Sequence, residues 1–90
     1  LETSFPSDIY AFQSHLRCRK LDPDNHIIFI KPDENGHYTF ESFIYQLTTR
    51  DDIALLFIEG VSYINGQLLP IRELATIAQQ YNISIGLDLA

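Results

Sequence analysis

Ninety residues with 46% hydrophobic and 20% charged side chains have room for one compact domain and exclude a disordered chain. Six Lys and Arg against twelve Asp and Glu leave a net charge of −6, which argues against nucleic acid and anionic membranes as partners, because both require clustered positive charge. The single cysteine excludes a disulfide framework, and no apolar run approaches the ~18 residues of a membrane span.

Residues 1–5 read as a weakly signalled strand. Ser7 can cap a helix over residues 8–20, with Ile9, Phe12, Leu16 and Tyr10 on its apolar face. Asp22-Pro-Asp-Asn25 is a turn, and residues 26–31 form an apolar run of strand type. Asp33-Glu-Asn-Gly36 is a second turn. Thr39 can cap a helix over 40–48, where Phe40, Phe43, Ile44 and Leu47 recur at helical spacing. A strand over 53–59 follows. Pro70 then suits the first turn of a helix whose stripe is Ile71, Leu74, Ala75, Ala78 and Tyr81. The last strand covers 83–88.

This alternation predicts an α/β fold: a three-layer, doubly wound, mainly parallel sheet with helices on both faces. The strands lack strict polar alternation, as expected where both faces are covered. The chain begins at Leu1, contains no Met and stops at Ala90 inside an apolar run. The expectation is therefore one incomplete domain, residues 1–90, cut from a longer protein.

Ligands of such sheets gather outside the carboxyl ends of the strands. That rule singles out Phe5 to Asp8, Lys31, Glu59 to Gly60, and Asp88. Neither glycine-rich phosphate loop is present. His15, His26 and His37 share no helix face, and Asp22-x-Asp24 fails as a calcium loop because His26 and Ile27 occupy key positions. No metal site is expected. Cys18 has three basic neighbours but lies near a helix carboxyl end, where the dipole opposes a thiolate.

Asp88 stands out, in Ile-Gly-Leu-Asp-Leu-Ala at the end of a central strand. A carboxylate there needs a cation or donors to meet it. A metal ion, a protonated pyridinium nitrogen and a helix N-cap all fit the position. Phe5-Pro6-Ser7-Asp8 would aim a ring and a carboxylate into the same crevice, or serve as a hydrophobic staple and cap.

Together, Phe5-Pro-Ser-Asp8-x-Tyr10, Gly60-Val-x-Tyr63-x-x-Gly66-Gln67 and Gly86-x-Asp88-Leu-Ala90 resemble, in order and spacing, the central part of the kynureninases. These are fold type I pyridoxal 5'-phosphate enzymes. The resemblance covers nearly the whole chain and implies a segment of their large, cofactor-binding domain. It implies that Phe5 lies against the pyridine face, that Pro6 and Ser7 line the pocket, and that Asp8 joins the polar network. Asp88 would bind the pyridinium nitrogen and keep it protonated.

Glu59, counted with the cofactor-binding residues, departs from the pattern, which commonly places a small residue there; its carboxylate either disturbs the site or points elsewhere. Ile64-Asn65 replaces the usual Tyr-Thr. No catalytic residue is expected in the segment, because Lys20 and Lys31 do not match the Schiff-base lysine, which should lie downstream. The implied parent is a cytoplasmic homodimer of tryptophan catabolism and NAD biosynthesis. It would hydrolyse L-kynurenine, or its 3-hydroxy form, to the corresponding anthranilate and L-alanine. The rival readings are a cysteine desulfurase or aminotransferase of the same fold type, and a receiver-like α/β interaction module.

Overall fold

The computed structural model describes residues 1–89; Ala90, which closes the third motif, lies outside the described residues. Helix α1 spans Pro6–Cys18, α2 Pro23–His26, α3 Phe40–Thr49 and α4 Ile71–Gln80. The strands are β1, Leu55–Glu59, and β2, Ser84–Asp88. They pair in parallel, with Leu55 opposite Ser84 and Glu59 opposite Asp88. Chain alternation thus yields the expected α/β class around a small parallel sheet.

Side chains alternate across a strand, and β1 uses both of its faces. Leu56 and Ile58 are buried with Phe43 and Leu47 of α3, and with Leu74 and Ala78 of α4. On the opposite face the Phe57 ring meets Phe12 of α1 edge-on, with centroids 4.8 Å apart. Helices therefore cover both faces. Gly86 sits beside Phe57 in register, where an added Cβ would come within 3.0 Å of the ring. Hydrogen at that position lets the ring lie flat along β2.

Two expected strands do not form. Of the expected 26–31 run, His26 ends α2 and Ile27 is extended, with φ −122° and ψ 127°, but no ladder joins residues 27–30 to β1. An open groove of about 770 Å³ separates them, lined on one side by Ile27 to Ile30 and on the other by Ala54 to Phe57. Residues 1–5 touch the extended run through one backbone bond, Glu2 N–H to the Ile30 carbonyl at 2.9 Å. A strand exists only where a neighbour takes up its backbone groups in series, and the single bond between these segments makes no ladder.

Helix starts also differ from expectation. Proline presets φ for the first helical position, so α1 begins at Pro6 and Phe5 takes the N-cap place without a side-chain cap bond. Ser7 consequently lies inside the first turn and caps nothing. Tyr10 is exposed while Ile9, Phe12 and Leu16 are half-buried. Asp22-Pro-Asp-Asn25 is a capped helical turn, because the Asp22 side chain accepts the Asp24 N–H at 3.0 Å. Pro70 is itself the N-cap residue of α4. Thr39 caps α3 as expected, accepting the Ser42 N–H at 3.2 Å.

Two loops are tied together beyond the strand ends. Gln67 uses its side-chain amide as a backbone mimic, accepting the Tyr38 N–H at 2.8 Å and donating to the Tyr38 carbonyl at 2.7 Å. The buried Tyr38 hydroxyl in turn accepts the Thr3 N–H at 2.9 Å. The segment leading to Phe5 is thereby fastened to the loop after β1. Among the described residues no helix is long and apolar enough to cross a membrane.

Candidate functional site

The carboxyl ends of β1 and β2 lie side by side, and register sets what they present. Glu59 and Asp88 are Cα partners, so both project from the same face of the sheet. That is the Phe57 face, which α1 covers. The first turn of α1 brings Asp8 to the same place. Three acids from three elements therefore converge.

Their electrostatics follow from that crowding. The Asp8 carboxyl is held above its usual 3.8, first by a hydrogen bond with Asp88, then by desolvation, and then by the charges of Asp88 and Glu59. Asp8 Oδ2 is buried with no hydrogen-bond partner. Glu59 is 8% exposed; its Oε2 accepts the Ser4 hydroxyl at 3.1 Å, while its Oε1 is buried and unpartnered. Like charges so close disfavour full ionisation, and a proton or a cationic group would relieve them.

Phe5 stands at the rim, 51% exposed. Its ring is held edge-on by Tyr63, with centroids 5.1 Å apart. Pro6 and Ser7 are exposed at the head of α1. The structure thus brings Phe5, Asp8, Glu59 and Asp88 to one end of the sheet, with Pro6 and Ser7 beside them. Lys31 is exposed and marks no strand end, because residues 26–31 form no strand. Among the described residues, no three His, Cys, Asp or Glu side chains are placed to hold a metal ion.

Sequence reasoning missed Ser4, the partner of Glu59, and Tyr38, the anchor of Thr3. Neither sits in a motif, and both contacts join residues distant in the chain. Gln67 was visible as a motif residue, but not as the clamp on Tyr38.

The raised pKa of Asp8 sets a pH dependence. A carboxyl whose folded pKa lies above its unfolded value contributes stability that is complete below the unfolded value and is lost as pH rises through the folded one. Asp8→Asn removes this loss. The variant should gain stability relative to the unsubstituted protein between about pH 4 and about pH 7, read by urea unfolding at both. An equal stability difference at the two pH values would show that Asp8 ionises freely.

Comparison with curated proteins gives 46% identity over 88 residues to kynureninase of Shouchella clausii, covering 98% of this chain and 20% of that one. The homologues of this chain are kynureninases. Kynureninase of Bacillus mycoides is 41% identical over 88 residues, with the same coverage. Kynureninase 1 of Neurospora crassa is 40% identical over 87 residues, covering 96% of this chain and 18% of its own length. The chain thus spans about a fifth of the length of the kynureninases it matches. No family model and no solved structure matches it.

Proposed function

We propose that the chain is part of the large, cofactor-binding domain of a pyridoxal phosphate-dependent hydrolase that cleaves L-kynurenine to anthranilate and L-alanine. The carrying observation is the convergence of Asp8, Glu59 and Asp88, with two buried oxygens lacking partners, in a chain whose homologues are kynureninases. Such a cluster is unfavourable by itself and suits a planar group that carries a positive charge at its edge. A half-exposed ring, Phe5, stands beside it to take the flat face. The residues present therefore fit the pyridine ring of the cofactor.

In this reading Asp88 accepts the ring N–H and holds the proton on that nitrogen. The hydrogen bond between Asp8 and Asp88, the first cause of the raised Asp8 pKa, fixes the direction of the Asp88 carboxylate. Phe5, steadied by Tyr63, covers one face of the ring and excludes water from it. Pro6 sets the turn that brings Phe5 and Asp8 together, and Ser7 lines the pocket edge. Pyridoxal phosphate, when bound, supplies the electron sink that makes bonds near the substrate's Cα labile.

The test uses the full-length protein loaded with pyridoxal phosphate. L-Kynurenine should disappear with formation of equal amounts of anthranilate and L-alanine, followed by anthranilate fluorescence and amino-acid analysis. A protein that holds the cofactor but releases neither anthranilate from kynurenine nor 3-hydroxyanthranilate from its 3-hydroxy form would refute the assignment.

A further inference from the structure

Among the described residues Glu59 is the only charged side chain that is buried. A buried carboxylate is costly unless its oxygens are met, and here one is met and one is not. The Ser4 hydroxyl fixes Oε2 at 3.1 Å, leaving Oε1 buried and without a partner. Register puts the side chain on the face it shares with Asp88, and α1 lays Asp8 against the same face, also with an unpartnered oxygen.

We propose that Glu59 is a positioning residue whose charge, held in place by Ser4, strengthens the grip of the Asp8–Asp88 pair on the protonated nitrogen of an aromatic cofactor ring. The inference rests on the pyridoxal phosphate reading above. Glu59 does not touch the ring; it acts through the two aspartates. A carboxylate beside the pair and shielded from water raises the local preference for a cation. The groups facing it are Asp8 from α1 and Asp88 from β2. The Ser4 bond keeps the acid from turning toward solvent, so its field is constant as the ring enters.

The experiment compares Glu59→Gln, Glu59→Asp and Asp88→Asn in the full-length protein, titrating pyridoxal phosphate by absorbance and fluorescence across pH. Gln keeps the size and an acceptor for Ser4 but removes the charge. Glu59→Gln should weaken cofactor binding about three- to tenfold and lower by about 0.5 to 1 unit the pH at which the cofactor is lost. Glu59→Asp keeps the charge on the same face and should stay within about twofold of the parent. If packing alone mattered, the shorter Asp would bind worse than Gln; that order overturns the proposal even where Gln binds normally. Unchanged affinity and pH profile in Glu59→Gln, with both altered in Asp88→Asn, also overturns it while leaving the cofactor reading intact. No change in either variant would overturn both.

Discussion

Asp88→Asn in the full-length protein should leave the fold intact and still admit the cofactor, more weakly and with an altered pH profile, while lowering turnover by about 10²- to 10³-fold, the usual effect of removing one preorganised electrostatic partner. The substitution changes little in shape. Asn keeps the volume of Asp and can still offer an oxygen at the end of β2, and the backbone carbonyl of residue 88 continues to accept the Gly60 N–H at 3.1 Å. What disappears is the negative charge. Without it a protonated ring nitrogen has no fixed counter-charge, and the nitrogen reverts toward its neutral form. Asp8 cannot substitute, because its carboxyl is held above the ordinary range by the same crowding; removing Asp88 lowers Asp8 only as far as Glu59 and burial allow. The measurements are kynurenine turnover, cofactor absorbance and circular dichroism. Near-normal turnover with cofactor bound would eliminate the pyridinium role for Asp88.

What could be read from the sequence follows the range of the forces involved. Helices α3 and α4 and strands β1 and β2 come from local signals: an apolar stripe at helical spacing, or a short apolar run between turns. The run at 26–31 carries the same signal, yet His26 closes α2 and the residues after it form no strand. A ladder is a property of two segments, and the groove beside β1 leaves the second one absent among the described residues. The head of α1 shows a local contest decided by backbone geometry. Ser7 has the better capping side chain, but Pro6 fixes its own φ and starts the helix first.

The site was legible in its parts and not in its assembly. Motif positions and the strand-end rule point to Phe5, Asp8, Glu59 and Asp88. That Glu59 and Asp88 share a face depends on the register of two strands separated by the whole of α4. A slip of one residue would send them to opposite faces. No pattern within either strand encodes that alignment. It is set by how Leu56, Ile58 and Ile83 pack against Leu74 and Ala78, so the acidic cluster is a consequence of core packing on the other side of the sheet.

Core packing therefore supplies the other large effect. Phe43→Ala should destabilise the protein by about 3 to 5 kcal/mol, whereas Phe40→Ala should cost less than about 1 kcal/mol. By sequence the two are equivalent members of one stripe on α3. In the structure Phe43 is fully buried and Phe40 is 37% exposed. The Phe43 ring lies 6.1 Å from that of Tyr38 and packs with Leu47, Ile58 and Leu74 in the main core. Truncation there removes transfer free energy and leaves a cavity that β1 and α4 cannot close without shifting the sheet. Loss of Phe43 also loosens Tyr38, and with it the Thr3 contact that steadies the approach to Phe5. Urea unfolding of the full-length protein, followed by a probe local to this domain, measures both costs. Equal losses for the two substitutions would mean that α3 is rotated from the orientation described here, and the face of β1 assigned to Glu59 would have to be reassigned with it.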